Sequence, residues 1–183
     1  MAAMTSAADS PRAQLSLHGY PSITIGGRRV ALQLKHGLAL LAYLSDQARP
    51  VGREVLAALL WPEAAPGLAR ARLRRLAHEV NGVLGAGLID ASPDALWLAA
   101  NVDSDLRRTG AAMAASDLNA LLDPRAADVL AGFTLGSEAF DDWADARRRE
   151  QRAALMRALE LGIERALDES EADVAEQASE ALL

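Results

Sequence analysis

Arg70, Arg72, Arg74 and Arg75 fall within six residues, and His78 and Asn81 follow within the next six. Guanidinium groups at this density suit one kind of chemistry above others: Arg pairs bidentately with phosphate oxygens or with a base edge. Arg74, Arg75 and His78 are the candidates for base-edge or phosphate contact; Arg70 and Arg72 suit phosphate contacts or salt bridges to the protein's own acids, and Asn81 lies beside them. A charge run can equally be the solvated face of a core helix. Its surroundings must decide.

Other chemistries find no support. His18, His36 and His78 stand far apart with no second ligand at metal spacing, so no zinc site is expected. The sequence has no cysteine, which removes disulfides, thiolate zinc and thiol catalysis together. Gly26-Gly27 lacks the downstream Lys-Ser/Thr of a phosphate-binding loop, and no motif gathers Ser, His and carboxylate groups. We therefore expect neither enzyme activity nor a cofactor. Trp61, Trp97, Trp143, Phe133 and Phe140 are scattered as core or junction residues are, and Arg147, Arg148 and Arg149 read as salt-bridging residues on an acidic helix.

The 183 residues suffice for one large domain or two small ones, and with 51% apolar residues the core must be built mostly from Leu, Ala and Val. No apolar run approaches the roughly 20 residues needed to span a bilayer, and the start lacks a signal-peptide pattern. A soluble, cytoplasmic protein is expected. The net charge of −6 hides two unlike halves: residues 1–100 carry +3 and residues 101–183 carry −9. The first half can approach phosphate; the second suits a protein partner.

The arginine run lies within Pro66 to Leu84, where Leu73, Leu76, Val80 and Leu84 recur at the spacing of a buried helical stripe. Residues 1–13 read as a disordered tail. Alternation at Leu15 and Leu17, Ile23 and Ile25, then Val30, Leu32 and Leu34 predicts short antiparallel strands, with Gly26-Gly27 as a hairpin turn. A helix starts at Lys35 and stops before Arg49-Pro50, a second spans Arg53 to Leu60, and the arginine helix is the third. Leu88 to Leu98 reads as a hairpin around Ser92-Pro93. Strands, three helices and a hairpin are the order of a winged helix, whose third helix enters the major groove.

From Asn101 the chain reads as almost wholly helical. Asp103 or Ser104 is the expected cap of one helix, Ser116-Asp117 of another, a short helix ends near Gly132, and Ser137 starts the longest, to about Asp168. The sequence breaks off at Leu183 as though inside a helical array. The fold class expected is thus mainly α with a small antiparallel β part. Its division is a winged-helix domain over 14–100 and a helical domain over 101–183.

Three stretches carry a family resemblance: Leu38 to Ala64, Ala69 to Gly85, and Val129 to Arg148 with its Leu130, Gly132, Phe133, Phe140 and Trp143. They resemble the OmpR/PhoB-type winged helix and the following bacterial transcriptional activator domain of the Streptomyces antibiotic regulatory protein (SARP) family. The resemblance implies a transcription activator that binds promoter DNA through the third helix and the wing over 88–98. It further implies a tetratricopeptide-like domain serving RNA polymerase or homodimer contacts. The family's later arginines of the third helix are here Glu79, Val80, Asn81 and Gly82. That change motivates an alternative, a helical protein-interaction or dimerisation module whose winged helix no longer binds DNA.

Overall fold

The computed structural model describes residues 13–84, 87–123 and 125–168; the expected tail up to residue 12 and the segment after Asp168 lie outside them, while Ala13, expected in the tail, is a buried strand residue. β1 (Ala13–Ser16) pairs antiparallel with β2 (Ser22–Ile25), which pairs with β3 (Arg28–Val30). Gly26 and Gly27 join β2 to β3 with φ of 57° and 78°, the doubly left-handed turn that matches strand twist and that glycine adopts without strain. Ala13, Leu15 and Ile23 turn inward, so the period of two does place one face of these strands on the core.

α1 (Lys35–Asp46) is buried along Leu38, Leu41 and Leu44 and also at Ala39, Leu40 and Ala42. Gly37 lets it pack tightly on the arginine helix, since a β-carbon there would stand 2.9 Å from the Val80 side chain. α2 (Arg53–Leu60) and α3 (Pro66–Leu84) follow with the expected bounds. β5 (Ile89–Ala91) and β6 (Ala95–Leu98) form the expected hairpin. A third strand was not expected: β4 (Val51–Gly52) pairs with β6, so this sheet runs β4-β6-β5. Two residues are too few to show a period. The three helices and this sheet have the order and pairing of a winged helix.

The chain beyond Asn101 departs from expectation at its start. β7 (Val102–Ser104) lies parallel to β1 and completes a sheet of order β3-β2-β1-β7, so the β part is not purely antiparallel. α4 (Asp105–Ala115) begins at Ser104 without a side-chain cap; the Asp105 carboxylate instead accepts hydrogen bonds from the Leu17 and His18 amides at 2.8 and 3.1 Å. α5 (Leu118–Leu121) is capped by Asp117 as expected, its carboxylate accepting from Ala120 N at 3.2 Å.

Among the described residues the short helix expected before Gly132 is absent, and turns take its place over 125–132. There Gly19 N donates to Asp128 O and Leu130 N to Leu17 O, at 2.7 and 2.8 Å, so these backbone groups pair across the fold and are withdrawn from any helical ladder. α6 (Glu138–Asp168) is the long last helix.

One apolar core unites residues from Ala13 to Ala144, including Leu17, Leu40, Leu73, Leu96, Phe133 and Phe140. A second, smaller core gathers Leu118, Leu121, Leu155 and Leu159 between α5 and α6. The expected division at residue 100 is therefore no break in packing: β7, Phe133 and the first turns of α6 belong to the first core. Phe140, fully buried there, would cost about 3–5 kcal/mol as alanine. No helix among the described residues is long and apolar enough to cross a membrane.

Candidate nucleic-acid interface

α3 is anchored by Ala69, Leu73, Leu76 and Val80, each buried, at intervals of three and four residues. Each such leucine or valine contributes about 1.5–3 kcal/mol by burial. With that stripe fixed inward, Arg70, Arg72, Arg74, Arg75 and His78 are all exposed. The helix therefore presents five cationic or polar side chains outward from a rigid seat.

They are not equivalent. Arg70 pairs with Glu54 at 3.2 Å, Arg72 with Glu63 at 3.4 Å, and Arg75 with Glu79 at 3.3 Å. All three pairs are exposed, where such contacts contribute roughly 0–1 kcal/mol and exchange readily. Arg74 has no ion pair among the described residues. It is the guanidinium most directly available to a ligand.

Asn81 requires a correction. Its Nδ2 donates to Ile89 O at 2.8 Å, and its Oδ1 accepts from Leu88 N and Ile89 N at 2.9 and 3.0 Å. Three of the amide's four hydrogen-bonding positions tie α3 to β5, which sets Asn81 apart from the exposed residues expected to meet DNA. It positions the hairpin instead. A second tie comes from Arg53 of α2, whose Nε and Nη2 both donate to Ser92 O in the hairpin turn, at 3.1 and 2.8 Å. The hairpin is thus fixed from both sides.

That hairpin carries no cation. Between Arg75 and Arg107 the chain has neither Lys nor Arg, while Asp90 and Asp94 are exposed on the wing. Any approach of the wing to phosphate must be made by backbone or neutral polar groups against two carboxylates. Beside α3, Lys35 opens α1 and Trp61 closes α2. Here the His36 and Trp61 rings stack, 5.0 Å between centroids and 8° from parallel. Burial lowers the His36 pKa, so the ring is neutral at pH 7.

The helical part is joined to this unit by polar contacts that spacing did not reveal. Arg147 pairs with Asp46 at 2.7 Å, Arg107 Nε donates to Ser45 O at 2.9 Å, and Ser137 Oγ donates to Leu59 O at 2.7 Å. Tyr43 and Trp143 meet beside them, 4.9 Å apart. Arg148 pairs with Asp145, as its charge suggested. It also donates to Val129 O, Leu130 O and Phe133 O at 2.8–3.0 Å. Among the described residues no three His, Cys, Asp or Glu side chains are grouped to hold a metal ion.

Comparison with known proteins bears on the fold. No protein-family model matches the chain, and no curated protein does. Among solved structures the chain is similar to Mycobacterium tuberculosis EmbR in complex with a low-affinity phosphopeptide, with a TM-score of 0.61 and 23% sequence identity. The match covers 94% of this chain and 54% of EmbR, so the chain spans about half the length of that protein. At this identity the likeness is one of fold, and it extends over both the winged-helix part and the helices that follow.

Proposed function

We propose that the chain is a DNA-binding transcription regulator of the SARP type, acting in the cytoplasm as an activator. α3 enters the major groove, and the helical part, tetratricopeptide-like in character, contacts RNA polymerase or a second copy of the chain. The observation that carries this reading is the outward face of α3: Arg70, Arg72, Arg74, Arg75 and His78 stand exposed on the second helix of a helix-turn-helix. The likeness in fold to EmbR over nearly the whole chain supports the same reading.

The chemistry is that of charge-assisted recognition. Arg74 and His78 lie on the most outward part of the helix, where base edges would be met. Arg72 and Arg75 lie toward one edge, where phosphates would run. Glu54, Glu63 and Glu79 temper the positive field, which lowers sequence-independent attraction and leaves more of the discrimination to base contacts.

The same three carboxylates favour a second reading. With half-neutralised arginines and an acidic wing, the winged helix would be a packing or dimerisation surface of a helical interaction module. Selection from a random duplex pool separates the two. The DNA reading predicts enrichment of one motif by the full chain and its loss with Arg74→Ala/Arg75→Ala. Recovery of unenriched sequences by the wild-type chain would favour the interaction module.

A further inference from the structure

Beside α3, on the side of α1, lies a concavity of about 320 Å3. Its walls include Lys35 and His36 from the first turn of α1, Trp61 after α2, and Arg72, Arg75 and Glu79 from α3. The stacked His36 and Trp61 rings give it a flat, uncharged side. Its charge comes from one ammonium and two guanidinium groups, opposed by one carboxylate.

The two guanidiniums are occupied only weakly, since Arg72–Glu63 and Arg75–Glu79 are open to water. The two edges of α3 differ in this respect. On the wing side, Asn81 is bonded into β5 and Arg70 meets Glu54 of α2. On the α1 side Arg72 and Arg75 border open space, while the Lys35 ammonium lies 6.0 Å from the centroid of the Phe133 ring and must swing across to join them. A helix lying in a groove about 12 Å wide has a sugar-phosphate strand along each edge. The strand on the α1 side would pass this concavity.

We propose that this concavity is a phosphate site, and that its occupant is a backbone phosphodiester of duplex DNA lying along α3. Lys35 supplies a point charge, and Arg72 and Arg75 exchange the Glu63 and Glu79 carboxylates for phosphate oxygens. The indole and imidazole wall excludes water from one side of the contact. Glu79 is then an internal competitor, holding Arg75 until a phosphate displaces it. The proposal rests on α3 being the DNA-reading helix. Free inorganic phosphate shares the chemistry, so the experiment separates the two sources.

The test uses the full chain and its selected duplex, synthesised with one uncharged methylphosphonate linkage at a time. At one or two linkages the substitution should weaken wild-type binding by about tenfold, the scale of a lost charge-assisted contact. The same linkage should cost Lys35→Ala measurably less than wild type, because one of the three cationic contacts to that phosphate is already gone. Glu79→Gln should bind intact duplex about two to five times more tightly, as expected for release of one weak ion pair.

In a second arm, inorganic phosphate is titrated against the free chain while the His36 ring signals are followed. If phosphate moves those signals and displaces DNA, yet no linkage couples to Lys35, free phosphate is the occupant and the proposal is overturned. If Arg74→Ala weakens DNA binding while Lys35→Ala and Glu79→Gln bind as wild type, the site fails and the reading of α3 stands. If the wild-type chain binds no duplex, both fall.

Discussion

Asn81 and Arg74 are seven residues apart on one helix, and their side chains have opposite tasks. Arg74 points to solvent without an ion-pair partner among the described residues, while Asn81 closes three hydrogen bonds to the wing. Asn81→Ala leaves two amides and a carbonyl at a half-buried junction unpaired. It should lower stability by about 1–3 kcal/mol in urea unfolding, with the salt dependence of DNA binding unchanged. A shallower salt slope at unchanged stability would return Asn81 to the DNA-contact set.

His18 offers a pH test. Its side chain is 6% exposed, and burial lowers its pKa from the ordinary 6.5 despite the opposing pull of Asp105. Between the native value and 6.5 the unfolded chain holds more protons, so stability rises with pH across that window. The His18 contribution is therefore complete above about pH 6.5 and declines as the pH falls toward the native value. Unfolding at pH 7.5 and 5.5 should show a smaller acid loss for His18→Gln than for wild type. Equal losses would place the pH sensitivity elsewhere.

Among the elements, those fixed by local signals were legible in the sequence. α1, α2 and α3 follow from leucine spacing, the prolines at 50 and 62, and the switch from period two to 3.6. Elements held by distant partners were not. β7 has three residues and exists because β1 lies beside it, nearly ninety positions earlier. The segment around Leu130 is similar, since that residue is buried in the left-handed region at φ 53° while Arg148, from the next helix, donates to three carbonyls around it. Sequence could mark the Leu130, Gly132 and Phe133 spacing; it could not show that Arg148 reads its backbone. Arg148→Ala should cost about 1.5–3 kcal/mol in urea unfolding, and Arg148→Lys should recover only part, because an ammonium cannot fork across separated carbonyls. Full recovery by lysine would reduce the role of Arg148 to charge alone.

For the molecule as a whole, composition gave the charge asymmetry but not the way the halves join. The boundary expected at residue 100 follows the change of period, whereas the first core continues to Ala144 and brings Phe133, Phe140 and Trp143 against α1 and its neighbours. Arg147–Asp46 and Ser137–Leu59 tie the long helix to the back of the winged helix, so the arginine face is presented by a body larger than the winged helix itself. The candidate site was legible in its cations and in the salt bridges expected of Arg70 and Arg72, but not in which carboxylates make them, because Glu54 and Glu63 reach Arg70 and Arg72 only through the turn between α2 and α3.

Binding of duplex DNA as a function of salt tests the central claim most directly. Wild-type chain should show log K falling linearly with log salt, with a slope steeper than about −2, as expected when several phosphates are neutralised. Arg74→Ala/Arg75→Ala should bind more weakly, with a slope shallower by about one to two units. Equal weak affinity and equal slope for the two proteins would contradict the assignment of α3 as the DNA-binding helix.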